Sequence, residues 1–409
     1  MTKAWFRRPE RYVVAAASGL ALMSLAAGSL TAASAADAPA ARTHGISDAR
    51  AAFTGSDLLL SVAGINAADA WAVGDYFVSS TSRQLPLIEH WTRGKWRLVP
   101  SPAVGSAGGY LQSVIDLSAK NAWAVGGANG KPLIEHWNGR AWRVVAGAAL
   151  GAKGTSAVLS GIAASSARSV WAVGSVSTAH GLVPLIEHWN GSRWRTVTSP
   201  DPGGLAANDY LTGVAASTSG VWAVGASAPG NIYHTLVLGL VRGKWRQLRS
   251  PDPSGLGNWL GSVSAVGTRV LAAGFGGYDN PVAAEPLVAH RFGQAFKLDP
   301  TPNPGGTGAQ DELYGVAATS SGGWAVGRGK AQTLTLHEVN GRWHYVASPS
   351  WPSPATSILE GVTVAGDATW AVGQYNVDVS TTTGLISVSY SLILRWAGTK
   401  WIKVPSPNR

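Results

Sequence analysis

Three Glu-His pairs, Glu89-His90, Glu135-His136 and Glu187-His188, are the residues whose type and spacing most resemble acid–base machinery. A carboxylate beside an imidazole could relay protons, and several imidazoles together could hold a metal. The same position reads Leu238, Ala289, Leu336 and Leu394 elsewhere in the chain. A place that accepts Leu lies between packed sheets, where a Glu needs a hydrogen-bonding partner. Histidines on separate sheets about 10 Å apart cannot share one metal ion. Both residue types therefore read as structural, and neither a metal site nor a cofactor is expected. A second set of acids, Asp209, Asp252, Asp311 and Glu312, could supply a hydrolase with its pair of carboxyls, provided they converge. A third set is aromatic: Tyr110, Tyr210, Trp259 and Trp351. The first three stand immediately before a Leu that opens a strand, and the repeat does not require them. They are the expected ligand-binding residues, exposed on loops and spread along an arc, with stacking on local prolines as the alternative.

These residues sit in an internal repeat that accounts for most of the chain. Its unit runs Leu-x-x-Val, Trp-Ala-Val-Gly, Leu-Ile-Glu-His-Trp-Asn-Gly and Trp-Arg-x-Val-x-Ser-Pro. The second element begins at Trp71, Trp123, Trp171, Trp222, Leu271, Trp324 and Trp370. The Leu ahead of it is Leu59, Leu111, Leu159, Leu211, Leu260, Leu313 or Leu359, and the last element carries Trp96, Trp142, Trp194, Trp245, Phe296, Trp343 or Trp401. Each element is short, apolar or alternating, and bounded by Gly, Pro, Asn or Ser, which is how strands read. Four strands at a period near fifty residues make one propeller blade. Seven regular copies without atypical end units predict a closed ring rather than a solenoid. The fold class expected is all-β, a seven-bladed β-propeller with four antiparallel strands per blade. From the His position to the final aromatic the span is constant while the turn Gly shifts. That predicts a four-residue loop, with Trp137 opposite Trp142 and Trp189 opposite Trp194.

The repeat resembles the Trp-Ala-Val-Gly / His-Trp-Asn-Gly repeats of secreted actinobacterial proteins. More loosely it is similar to Asp-box (bacterial neuraminidase repeat) propellers, including photosystem II assembly factors. The resemblance covers residues 57–409 and implies the propeller fold. The Ser-x-Asp of the Asp-box is absent, and Trp137 stands where its Asp would be, so sialidase chemistry is not implied.

The N-terminal residues read as a signal peptide, 1–35. Lys3, Arg7, Arg8 and Arg11 precede an apolar run from Val13 to Leu30, then Ala33-Ser34-Ala35. Residues 36–56 read as a low-complexity linker and 57–409 as the propeller. A secreted, extracellular protein is expected, without stable membrane insertion. The chain has no Cys, which excludes disulfides, thiolate metal sites and a Cys nucleophile. Its formal charge is +10, partly contributed by the signal. Lys and Arg flank the last-strand Trp, as in Lys95 and Arg97 or Arg193 and Arg195. Protection of an outer edge strand is the preferred reading, with an anion-binding rim the alternative and nucleic acid not expected. The expected function is non-catalytic binding through loops on one face. A glycan or envelope polymer is the preferred partner and a protein the other candidate. A propeller glycoside hydrolase or lyase, and a structural envelope protein, are the alternatives.

Overall fold

The computed structural model describes residues 56–408 apart from 151–155, 205–206, 254, 256, 278–283, 307, 331, 353–354 and 382–383, and no side chains over 379–386. The expected signal peptide and linker lie outside these residues, except for Ser56. The described chain forms seven four-stranded antiparallel sheets, each built from consecutive strands. Blade 1 uses Asp57–Asn66, Asp69–Val78, Arg83–Thr92 and Lys95–Leu98, from the channel outward. Blade 7 uses Thr356–Ala365, Ala368–Thr381, Gly384–Trp396 and Trp401–Val404, so no strand is exchanged between the ends.

One local device recurs in every blade. The innermost strand shifts register after its Leu, between Leu59 and Ser61 and equally between Leu313 and Gly315. Such a β-bulge leaves one residue unpaired and turns it from the ladder. The Gly of Trp-Ala-Val-Gly lies opposite that bulge. A Cβ on Gly174 would stand 1.9 Å from the Val158 carbonyl oxygen, and one on Gly327 1.8 Å from that of Glu312. Close backbone approach therefore dictates Gly there, including in the variant Leu-Ala-Ala-Gly copy, where a Cβ on Gly274 would stand 1.9 Å from the Trp259 carbonyl oxygen.

The core lies between blades. Trp71 of blade 1 meets Trp137 and Trp142 of blade 2 at 4.9 and 5.1 Å. Trp123 meets Trp189 and Trp194 of blade 3 at 5.2 and 5.6 Å. Trp370 of blade 7 meets Trp91 and Trp96 of blade 1 at 4.7 and 5.3 Å, so the ring closes by the contact that joins its interior. The expected pairs Trp137–Trp142 and Trp189–Trp194 are in register. Blades 4 and 5 depart from the rule, since Arg291 lies over Trp222 in place of a Trp.

The hairpin between third and outermost strands takes two forms rather than a single four-residue loop. In blades 1, 4 and 6 pairing continues to a two-residue turn, Arg93-Gly94, Arg242-Gly243 or Asn340-Gly341, with both residues at positive φ. That is the turn whose twist suits a hairpin. In blades 2 and 3 Asn138 and Asn190 bind the N–H groups two and three residues ahead, which holds a four-residue loop open.

Candidate functional site

The bulges build the channel. The unpaired residue is the one after each repeat Leu: Leu60, Gln112, Ser160, Thr212, Gly261, Tyr314 or Glu360. All seven line a narrow central cavity of about 180 Å³. Neighbouring inner strands are tied across it, with the Ser61 hydroxyl accepting from Val114 N–H and Thr212 donating to the Leu260 carbonyl at 2.7 Å.

On the face where innermost strands begin and second strands end, this channel opens into a mouth of about 880 Å³. Leu60, Gln112, Trp259, Tyr314 and Glu360 line both spaces. The wider part adds Asp75, Gln84, Phe275, Gln374 and Asn376. Gln84 Nε2 donates to Asp75 Oδ2 at 2.7 Å, which orients the amide. Trp259 sits 5.2 Å from Phe275 and 6.3 Å from Tyr314, in tilted and edge-on contacts. The charged side chains lining the mouth, Asp75 and Glu360, are both acidic among the described residues.

The four aromatics expected from the sequence separate. Trp259 lines the mouth and the channel, because blade 5 has Gly261 at the bulge. A Cβ there would come within 2.5 Å of the indole, so the missing side chain is replaced by the Trp259 ring. Tyr110 lines the mouth with its ring over Gly127, where a Cβ would meet the hydroxyl at 2.9 Å. Burial, then the Asp75 charge, push its phenol well above the ordinary range, so it stays protonated as a donor. Tyr210 does not line either space. It packs on Tyr233 at 6.2 Å, in one apolar cluster with Trp259 and Phe275. The three are buried at 4–7% exposure, not displayed on loops, and two of them share a cluster rather than spacing along an arc. The innermost strand begins at or before each, so the strand and not the crossing owns them.

Trp351 is away from the mouth. Its ring stacks on Tyr375 at 4.0 Å and 8°, and Lys403 Nζ stands 4.4 Å from its centroid. A ring 4.0 Å away leaves no space for Nζ on that face, so both faces of the indole are covered. The partner is Tyr375 rather than the local prolines.

The acids do not converge. Asp209 and Asp311 each accept an N–H from their own crossing, Gly203 and Gly305, at 2.8 and 2.7 Å. Asp252 holds His234 and the Asn258 amide. Glu312 binds Arg328 and the Tyr314 hydroxyl. Nor do the Glu-His pairs act together. The Ser101 hydroxyl donates to Glu135 at 2.8 Å, and Ala148 N–H donates to Glu187 at 2.9 Å. Desolvation pushes all three glutamates up to about 7, against the lowering effect of those bonds. His90, His188 and His337 lie flat on Trp71, Trp171 and Trp324 at 3.8–4.0 Å. Among the described residues no three metal-ligating side chains gather.

The residues missed from the sequence are Gln112, Tyr314 and Glu360, each directly after the repeat Leu, and Phe77, 41% exposed at the mouth. A signal existed. The position after Leu is variable in every copy, while its flanks keep the repeat.

No protein-family model and no curated protein matches the chain. Solved structures do. YCF48 bound to a D1 peptide is similar at 15% identity and TM-score 0.50, over 78% of this chain and 91% of that one. Puromycin hydrolase is similar at 12% identity and TM-score 0.54, over 87% of this chain and 54% of its own. The WD40 repeats of RRP9 are similar at 11% identity and TM-score 0.50, over 77% and 86%. At these identities the likeness shows the propeller fold alone.

Proposed function

We propose that this chain is a secreted, non-catalytic binding protein whose mouth takes a segment of neutral glycan. One observation carries the reading: Trp259 and Tyr314 stand in one cavity with Gln84, Gln112, Gln374 and Asn376, and among the described residues no Lys or Arg lines it. Aromatic faces suit the C–H face of a pyranose, and side-chain amides serve hydroxyls as donor and acceptor at once. Asp75 and Glu360 disfavour an anionic ligand there. The basic, apolar, small-residue order of residues 1–35 supports export.

A peptide is the second reading, supported by the D1 peptide on YCF48 and by an acidic mouth that would suit a basic residue. The glycoside hydrolase reading draws support from Asp75 and Glu360 lining one cavity, and from none of the four acids first considered. The test is a glycan array and a cell-wall polysaccharide pull-down on residues 36–409, with Trp259→Ala beside the parent. Retention of a neutral glycan, lost in the folded variant and without release of reducing ends, is expected. Equal retention by the variant overturns the site, and capture of peptides alone overturns the ligand.

A further inference from the structure

The outer hairpins segregate charge in a way the mouth does not use. Taken from the turn after the third strand to the end of the outermost strand, the seven hairpins hold Arg93, Lys95 and Arg97 in blade 1 and Arg140 and Arg143 in blade 2. Blade 3 adds Arg193 and Arg195, and blade 4 adds Arg242, Lys244 and Arg246. Lys297, Arg342, Lys400 and Lys403 follow in the last three blades. All fourteen are exposed, and none of the chain's 22 acids lies in these segments. Ten of them fall on the consecutive blades 1–4. The intervening Trp turns inward to the preceding blade, as Trp142 does to Trp71, so residues on either side of it project from the opposite face of the strand.

Protection of a sheet edge explains charge but not one sign of charge. Lys, Glu, Pro or a bulge would each discourage edge pairing. Like charges at i and i+2 around the outer Trp, as in blades 1, 3 and 4, repel one another when nothing anionic lies between them. We infer that the outer edge of blades 1–4 is a docking belt for a flexible linear polyanion with a non-aromatic backbone.

The shape selects that partner. The belt follows a convex circumference, so a flat anionic membrane touches only a blade or two, whereas a flexible chain can follow the arc. Single-stranded nucleic acid draws much of its affinity from stacking on aromatic side chains. The exposed aromatics of this rim, Phe292, Tyr345 and Trp351 with Lys403 over its ring, lie on blades 5 and 6 and the crossing to blade 7, away from the cation-rich arc of blades 1–4. Third strands end, and these hairpins turn, on the face opposite the mouth. Belt and mouth are therefore separate surfaces, and the belt does not depend on the glycan assignment.

The experiment measures binding of residues 36–409 to polygalacturonate and to poly(glycerol phosphate), which separate carboxylate from phosphate recognition. Poly(U) and anionic phospholipid vesicles are measured alongside, over a salt series. Arg143→Ser/Arg195→Ser removes two exposed belt cations. Lys131→Asn/Lys330→Asn removes the same charge from exposed positions on the mouth face. Binding to one or both polymers that weakens with salt is expected, falling roughly tenfold or more in the belt variant and little in the mouth-face variant. Equal loss in both variants, no loss in either, or tighter binding to poly(U) or vesicles than to both polymers overturns the proposal. Retention of neutral glycan by the folded belt variant keeps this result distinct from the mouth.

Discussion

The Ser406 hydroxyl of the last blade donates to Glu89 Oε1 of the first at 2.8 Å, the bond that Ser101 makes to Glu135 between blades 1 and 2. The closing seam thus repeats an interior seam side chain for side chain. Ser406→Ala and Ser101→Ala should each cost about 1–3 kcal/mol, because each leaves a buried carboxylate oxygen unpaired. Denaturant unfolding of the two variants checks this. A seam built differently from the others would show Ser406→Ala as neutral while Ser101→Ala is not.

Stability should fall as pH rises through about 7. Desolvation raises Glu89, Glu135 and Glu187 from 4.5 to about 7, so the folded state holds these protons more tightly than the unfolded one. The contribution is complete below about 4.5 and lost as pH passes the folded value. Glu135→Leu, the residue that blades 4, 6 and 7 place there, should flatten part of the decline. Melting temperatures from pH 5 to 8 provide the readout, and a parent curve that rises across this range contradicts the assignment.

Asp201→Asn should stabilise the crossing between blades 3 and 4 near neutral pH, by up to about 1 kcal/mol. Asp201 neighbours Asp209, and its carboxyl is raised by burial, then by the Asp209 charge. The matching crossing before blade 6 has Asn303 at the place of Asp201 and Asp311 at the place of Asp209. The raised group favours the fold at low pH, so the gain from Asn should vanish toward pH 3. Urea midpoints at pH 3 and pH 7 test the sign.

Gly174→Ala should cost about 3 kcal/mol or prevent folding, since the new Cβ would lie 1.9 Å from the Val158 carbonyl oxygen. Gly255→Ala is the control for loss of a glycine where no atom stands within 4 Å and φ is not positive. A small, equal change in both would mean that the bulge yields to a methyl group.

Trp123→Ala should cost about 3–5 kcal/mol, having lost a buried ring that touches Trp189 and Trp194 of the next blade. Trp351→Ala should cost much less, because that ring is 36% exposed. Thermal midpoints of the two variants decide whether the interblade tryptophans are the core.

The sequence by itself determined the seven blades, their strands and the pairs Trp137–Trp142 and Trp189–Trp194. Those depend on local periodicity repeated seven times, and repetition averages out local ambiguity. Also legible were the structural role of Glu135, since a homologous Leu implies burial, and the cationic outer strands. Only the tertiary structure decided which residues face the channel. A β-bulge shifts register by one residue, and one residue reverses the face to which a side chain points. Sequence spacing therefore favoured Tyr110, Tyr210 and Trp259, before the Leu, while the bulge delivers Gln112, Tyr314 and Glu360, after it. Trp259 still enters the channel, by occupying the space above Gly261, two residues further along the strand, where there is no side chain to exclude it.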